Sequence, residues 1–224
     1  MAQTLFITGT DTGAGKTVLT ALLIHFLRMR KASVAALKPV CSGGRHDARI
    51  LHAALGGSLS LDEINPWHFR ASIAPVLAAR RENKSVQVAD VLAFIRTTQK
   101  KFDVTLVEGA GGLLSPLGER FDSRDLVMAL QATPIVVAQN RLGAVNHILL
   151  TLEVLPKRIG AKVKIVLMSP SKPDTGTASN SKLLAEFFPA ARILTLPWLG
   201  GNFDVATAWR RPAIRRTLAA LADV

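Results

Sequence analysis

The sequence predicts an α/β fold: a mostly parallel sheet of about six or seven strands with helices on both faces. Three observations carry this expectation. Short apolar, β-rich runs alternate with longer stretches whose apolar residues recur at helix spacing. A glycine loop joins the first such run directly to the first helical stretch. Several runs end in glycine or polar residues, and the carboxyl edge of an open α/β sheet is where ligands bind.

Thr4 to Thr8 is too short for a helix and leads into Gly9-Thr10-Asp11-Thr12-Gly13-Ala14-Gly15-Lys16-Thr17. Val18, Leu19, Leu22, Leu23, Phe26 and Leu27 then follow a helical period. Strand, glycine loop, Gly-Lys-Thr and helix in that order form a phosphate-binding loop. Glycines let successive backbone N–H groups face an anion, and the helix N-terminus adds its positive end. Lys16 is expected at the β/γ-phosphates and the Thr17 hydroxyl on Mg²⁺. The common form of this loop has four residues between its glycines; here five separate Gly9 from Gly15.

Ser33 to Leu37 is a second short strand, stopped by Pro39, which cannot continue a ladder, so Lys38 is left at the sheet's edge. Asp47 opens a helix from about Ala48 to Leu55, where its carboxylate suits either a metal or the helix dipole. Gly56 to Arg70 is irregular and holds Asn65-Pro66-Trp67, with room for one further short strand. Ala74 to Arg81 and Val88 to Lys101 read as helices. The strand Val104 to Val107 ends in Glu108-Gly109-Ala110-Gly111-Gly112, the pattern of a second acidic Mg²⁺ ligand or of a loop-capping glutamate. Asp125 to Leu130 is helical, Pro134 to Gln139 is a strand, and a helix is expected from the Leu142 region to about Arg158. Strands Val163 to Met168 and Arg192 to Leu196 flank the helix Asn180 to Phe187, and a basic helix covers Pro212 to Leu221. Right-handed crossovers make such a series a parallel sheet with both faces covered.

At 224 residues the chain suits one domain, residues 1–224, with a substantial core. Its apolar runs fall short of the roughly 20 residues a membrane span needs, and no basic-then-apolar leader precedes the first strand. Cys41 is the single cysteine, which rules out an intramolecular disulfide and points to a reducing, cytoplasmic setting. The net charge of +12 raises the question of nucleic acid. The basic residues are spread along the chain without aromatic interleaving, and tyrosine is absent, so they read as solvated helix faces.

The phosphate loop, Lys38 with Ser42, Glu108 with its glycines, and Arg141 through Asn146 each follow a strand and converge on one edge. The segments G-T-D-T-x-x-G-K-T, K-P-V-C-S-G, V-E-G-A-G-G, R-L-G-x-x-N-H and L-P-W-L have the order and spacing of the dethiobiotin synthetase family, which the chain resembles over nearly its whole length. The long gap between Gly9 and Gly15 also resembles that family. The resemblance implies a P-loop NTPase-like fold and an ATP- and Mg²⁺-dependent reaction. In it 7,8-diaminopelargonate is closed by CO₂, or bicarbonate as its source, into a cyclic urea, with release of ADP and phosphate.

By the same resemblance Lys38, Lys16 and Thr12 are catalytic, and Thr17, Asp47 and Glu108 hold Mg²⁺. Gly13, Ala14, Gly15, Lys16, Thr17, Val18, Asp47, Glu108, Gly109, Ala110 and Gly111 surround the triphosphate. Ser169, Pro170, Pro197, Trp198, Leu199 and Asp204 lie around the base and sugar, although Trp198 equally suits core packing. Ser42, Gly111, Arg141, Leu142, Gly143 and Asn146 contact the diamine, with N–H groups of the helix near Leu142 facing its carboxylate. A homodimer completes each site, and Asn146 can serve the partner's. Three departures from the family pattern stand out: Gly13 replaces an acidic residue, Arg141 a lysine, and Ser169-Pro170 an Asn-Asp pair that reads adenine. The stretch from Ser42 to Asp47 is also short.

The alternatives are a partitioning or cluster-assembly ATPase and a small-molecule kinase. The first wants a lysine early in the phosphate loop, where Gly9 to Thr12 has none. The second leaves Lys38 and the Glu108 loop without distinct tasks. A cobyrinate-type amide synthase would need a glutaminase cysteine, and no histidine accompanies Cys41 in the sequence.

Overall fold

The computed structural model describes residues 3–189 and 191–223. In chain order the elements are β1 (Gln3–Gly9), α1 (Lys16–Met29), β2 (Val34–Leu37), β3 (Val40–Ser42), α2 (His46–Ala54), α3 (Leu61–Ile64), β4 (Trp67–Phe69), α4 (Pro75–Arg81), α5 (Val88–Gln99), β5 (Val104–Glu108), α6 (Ser123–Leu130), β6 (Thr133–Gln139), α7 (Ala144–Glu153), α8 (Lys157–Gly160), β7 (Lys164–Met168), α9 (Asn180–Phe187), β8 (Arg192–Leu196), α10 (Val205–Ala208) and α11 (Pro212–Ala222). Six strands pair in the order β2-β5-β1-β6-β7-β8, every pairing parallel.

β1 lies between β5 and β6, so its side chains Leu5, Phe6 and Ile7 are wholly buried. A strand enclosed on both faces needs a continuous apolar run, and both β1 and β5 supply one. The order of strands dictates the layers. The crossover β1-α1-β2 moves one way along the sheet, whereas β5-α6-β6 moves the other, so with right-handed connections α1 and α6 cover opposite faces. α1 accordingly packs with α2, α10 and α11, while α5 packs on α6 and α7 on α9.

Two expectations need amendment. The helix expected to reach Arg158 ends at Glu153; Pro156 has no N–H to continue it and instead precedes the short α8. The segment read as irregular from Gly56 to Arg70 contains the unexpected α3, closed by a Ser60–Glu63 capping box, while β4 is the further short strand for which it left room. β4 pairs with β3, just beyond Pro39, in a separate two-stranded parallel sheet. This small sheet carries the chain after Lys38 away from the main sheet and above its carboxyl edge.

α6 begins with a reciprocal cap: the Asp122 carboxylate accepts from Arg124 N (2.8 Å) and Asp125 N (3.2 Å), while Asp125 accepts from Asp122 N (2.9 Å). That cap sets Ser123 against Gly109, where an added Cβ would lie 2.6 Å from the serine oxygen. Replacing Asp122 by Ala therefore costs about 1 kcal/mol and lowers the thermal midpoint by roughly 2–4 °C; calorimetry showing an unchanged midpoint would contradict this account of the cap.

Candidate active site

The loops after β1, β2, β5, β6, β7 and β8 all leave from the same edge, because every strand runs the same way. The loop after β1 turns into α1 through Gly15, at φ 102°, a left-handed conformation that favours glycine. A side chain there would also meet Met168 at 2.9 Å. α1 has no side-chain cap, so its first N–H groups remain available to an anion.

Lys16 folds back across this loop, its ammonium donating to Asp11 O (2.9 Å) and Gly111 O (2.7 Å). Lys38, 3 % exposed, donates to Gly109 O at 3.4 Å and to Glu108 Oε1 at 2.7 Å, and pairs with Asp47 Oδ2 at 2.8 Å. Two ammonium groups, one from the start of α1 and one from the turn after β2, thus reach carbonyls two residues apart on the loop after β5. Their environments differ in sign. Burial, reinforced by the charge of Lys38, lowers Lys16 to a pKa of about 8. Burial also disfavours the charge on Lys38, but Glu108 and Asp47 outweigh it and hold this amine above the ordinary lysine range.

Glu108 is fully buried and fully engaged. Its Oε1 accepts from Lys38 and from the Thr17 hydroxyl (2.7 Å), and its Oε2 accepts from Thr20 (2.8 Å). Burial disfavours the Asp47 carboxylate, yet Lys38 prevails and keeps its pKa below the usual value. Thr17, Asp47 and Glu108 therefore stand together, with Lys38 between the two carboxylates. Two carboxylates and a hydroxyl are a hard-oxygen set of the kind that holds Mg²⁺ jointly with a nucleotide's phosphates and water. Among the described residues no cluster of three or more His, Cys, Asp or Glu offers another metal site.

On the β7–β8 side, a cleft of about 340 Å³ is lined by Gly13, Ala14, Gly15, Val18, Ser169, Pro170, Pro197, Trp198 and Leu199, expected there, by Gln139, Asn140, Met168, Ser171 and Phe203, which were not, and by Arg141, which was expected at the diamine instead. It opens from the phosphate loop and has the apolar walls a base requires. Trp198 is half exposed over it, so it is not a core residue. Asp204 stands just beyond the cleft with its carboxylate engaged in capping α10 through Ala206 N (3.0 Å).

On the other side, Thr10, Asp11 and Thr12 face Arg141, Ala144 and His147 across a small depression of about 100 Å³. Arg141, Leu142, Gly143 and Asn146 are all exposed. The Leu142 N–H, expected to face a substrate carboxylate, already donates to Asp174 Oδ2 at 2.8 Å, and Ala144 N donates to Arg141 O. The Ser42 hydroxyl, at the end of β3, donates to Ile73 O at 2.6 Å. Thr20 was missed by sequence reading, although its place one turn after Lys16 puts it on the same helix face.

The Lys16 amine should titrate near pH 8 in the ligand-free protein, and a bound triphosphate should raise it, because an adjacent anion favours the ammonium. NMR of lysine-labelled protein reads both; titration at the ordinary value near 10.5 would contradict the buried, lysine-flanked environment.

Comparison with known proteins places this edge in context. Residues 3–201 match a family model described as an AAA domain. The chain is 37 % identical over 200 residues to the ATP-dependent dethiobiotin synthetase BioD of Anaeromyxobacter dehalogenans (strain 2CP-C), spanning 87 % of this chain and 89 % of that one. It is 41 % identical over 174 residues to the enzyme of the same name from Anaeromyxobacter sp. (strain Fw109-5), covering 76 % and 78 % of the two chains. Among solved structures, the MinC:MinD cell division protein complex of Aquifex aeolicus aligns with TM-score 0.60 at 16 % identity, covering 98 % of this chain and 96 % of that one; this shows the fold alone. With a relative 37 % identical across most of both chains, and a second at 41 %, the chain belongs to the ATP-dependent dethiobiotin synthetase family.

Proposed function

We propose that this chain, acting as a single domain over residues 1–224, closes 7,8-diaminopelargonate with CO₂ into the cyclic urea of dethiobiotin, converting ATP to ADP and phosphate. The observation that carries the reading is the pair of ammonium groups, Lys16 and Lys38, brought to one loop beside the α1 N-terminus. One amine of the substrate takes up CO₂ as a carbamate. A carbamate oxygen attacks the γ-phosphate, and the second amine then displaces phosphate at the carbamate carbon. Carbamate and triphosphate are both anions, so bringing them together is the main obstacle. Lys16 and the free N–H groups of α1 hold the phosphates, while Lys38 faces the carbamate and the anhydride it becomes. Thr12, exposed at the mouth of the loop, lines the depression where the diamine would lie.

Thr17, Asp47 and Glu108 would hold Mg²⁺, which when bound supplies positive charge to the β/γ-phosphates. Without nucleotide, Lys38 balances those same carboxylates.

The reading extends to a homodimer in the cytoplasm. Leu142 is 73 % exposed and Leu150 62 %, both in or beside α7, with Leu114 nearby at 46 %. An apolar patch beside an incomplete substrate site suits a second copy of the chain. Arg141, Leu142, Gly143 and Asn146 would then address the diamine carboxylate in the partner's site. A partitioning-type ATPase shares the fold but wants a lysine early in the phosphate loop, where Gly9 to Thr12 has none.

Purified protein given Mg·ATP, bicarbonate and the diamine should form dethiobiotin with equimolar phosphate; ATP hydrolysis indifferent to the diamine would contradict the reading. Measured per folded protomer, since it also strips Glu108 of its counter-charge, Lys38→Ala should leave nucleotide affinity within about threefold while turnover falls on the order of 10²-fold or more; equal loss of both would remove Lys38 from the chemistry. Mixing Lys38→Ala protein with Asn146→Ala protein should restore part of the activity through hybrid dimers, whereas verified hybrids with no recovery would mean that each site is self-contained.

A further inference from the structure

Lys38 lies outside the sheet that carries it. β2 ends at Leu37, and Pro39 has no N–H to offer, so the ladder gives the Lys38 peptide no support. The support comes from the Asn65-Pro66-Trp67 turn. Lys38 N donates to Ile64 O at 2.9 Å, and Lys38 O accepts from Asn65 Nδ2 at 2.7 Å. Asn65 is wholly buried. The same amide nitrogen lies 3.5 Å from Pro39 O and 3.4 Å from Trp67 O, and Oδ1 lies 3.2 Å from the Cys41 thiol, whose one proton it shares as acceptor with Gly44 O at 3.1 Å. Three carbonyls around the nitrogen and a thiol on the oxygen fix which way the amide faces.

Asn65 is itself held from the element that grips the lysine's other end. Its carbonyl accepts from Arg45 Nη2 at 3.0 Å, and Arg45 also donates to Leu61 O and pairs with Asp62 at 2.8 Å. Arg45 occupies the N-cap position of α2, whose first turn presents Asp47 to the Lys38 ammonium. The backbone and the charged tip of Lys38 are therefore fastened to one circuit: Asn65 to Lys38, Lys38 to Asp47, α2 to Arg45, and Arg45 back to Asn65.

We propose that Asn65 is a positioning residue for the reaction, setting the Lys38 ammonium through the Lys38 peptide carbonyl; this rests on the reading of Lys38 as the lysine that faces the carbamate. No other residue type of that size supplies two donors and one acceptor to this pocket. Aspartate has the same shape, but ionised it turns an acceptor toward three carbonyls, and protonated it offers a single O–H in place of the two N–H groups. The lysine turn then shifts, and a displacement of about 1 Å costs on the order of 10²-fold in a reaction that depends on placed charge.

The test is the kinetics of Asn65→Asp measured per folded, nucleotide-binding protomer. The expected result is a kcat lower by about 10- to 100-fold, with nucleotide KM within roughly threefold. Introduced into Lys38→Ala, measured by single-turnover product formation, the same change should add less than about a twofold loss, because its route runs through the missing ammonium. An unchanged kcat per folded protomer overturns the proposal, and so does a loss that multiplies with that of Lys38→Ala, which marks a merely structural role. Should Asn65→Asp fail to fold, Asn65→Ser, which removes the bridge without adding charge, must show the same split. Full turnover in Lys38→Ala alone would instead sink the reading of the lysine, independently of Asn65.

Discussion

The active edge depends on one buried carboxylate. Glu108 ends a central strand with no exposure to solvent, and an isolated charge in that position would be strongly unfavourable. It persists there because three donors from two other segments meet it: Thr17 and Thr20 from α1, and Lys38 from the turn after β2. Satisfying Glu108 therefore fixes α1 against β5 and draws Lys38 inward across the top of the sheet. Removing one partner would leave a buried charge uncompensated, which is much costlier than losing an ordinary surface ion pair.

From this constraint the electrostatics of the site follow. Lys38, gripped by two carboxylates, stays charged under all ordinary conditions, whereas Lys16, with backbone carbonyls for partners, is poised near pH 8. A triphosphate arriving at the α1 N-terminus supplies the anion that Lys16 lacks. On the proposed reading the two lysines divide the work: one would respond to nucleotide, and the other is a standing positive charge beside it. Because the loop after β5 receives both, its glycines have steric as well as conformational reasons to be small. Gly111 has φ 67°, and a side chain there would collide with Ser115.

The family segments were legible in the sequence because their signals are local. A glycine loop between a strand and a helix, or a carboxylate ending an apolar run, declares itself without knowledge of distant residues. The six-stranded parallel sheet was legible for the same reason, from alternating periods. What escaped was non-local. β3 and β4 have three residues each, too few for a periodic pattern, and exist through pairing across the intervening α2 and α3. The cleft proposed for the base gathers residues from the ends of β6 and β7 and the loops after β1, β6, β7 and β8, so Gln139, Asn140, Met168 and Phe203 could be found only once those strands were neighbours. Asn65 looked like a turn former and is one, yet its amide acts on a residue 27 positions earlier. The helix that stops before Pro156 was a local signal that helical periodicity obscured.

In the proposed reaction a carbamate oxygen and the γ-phosphate meet directly between the two ammonium groups. Isotope transfer tests it: protein premixed with Mg·ATP and diamine is mixed rapidly with heavy-oxygen-labelled bicarbonate in ordinary water, and the phosphate from a single turnover is analysed by mass spectrometry. Direct attack places one labelled oxygen in each phosphate released alongside dethiobiotin. Phosphate carrying only solvent oxygen while dethiobiotin accumulates would contradict it.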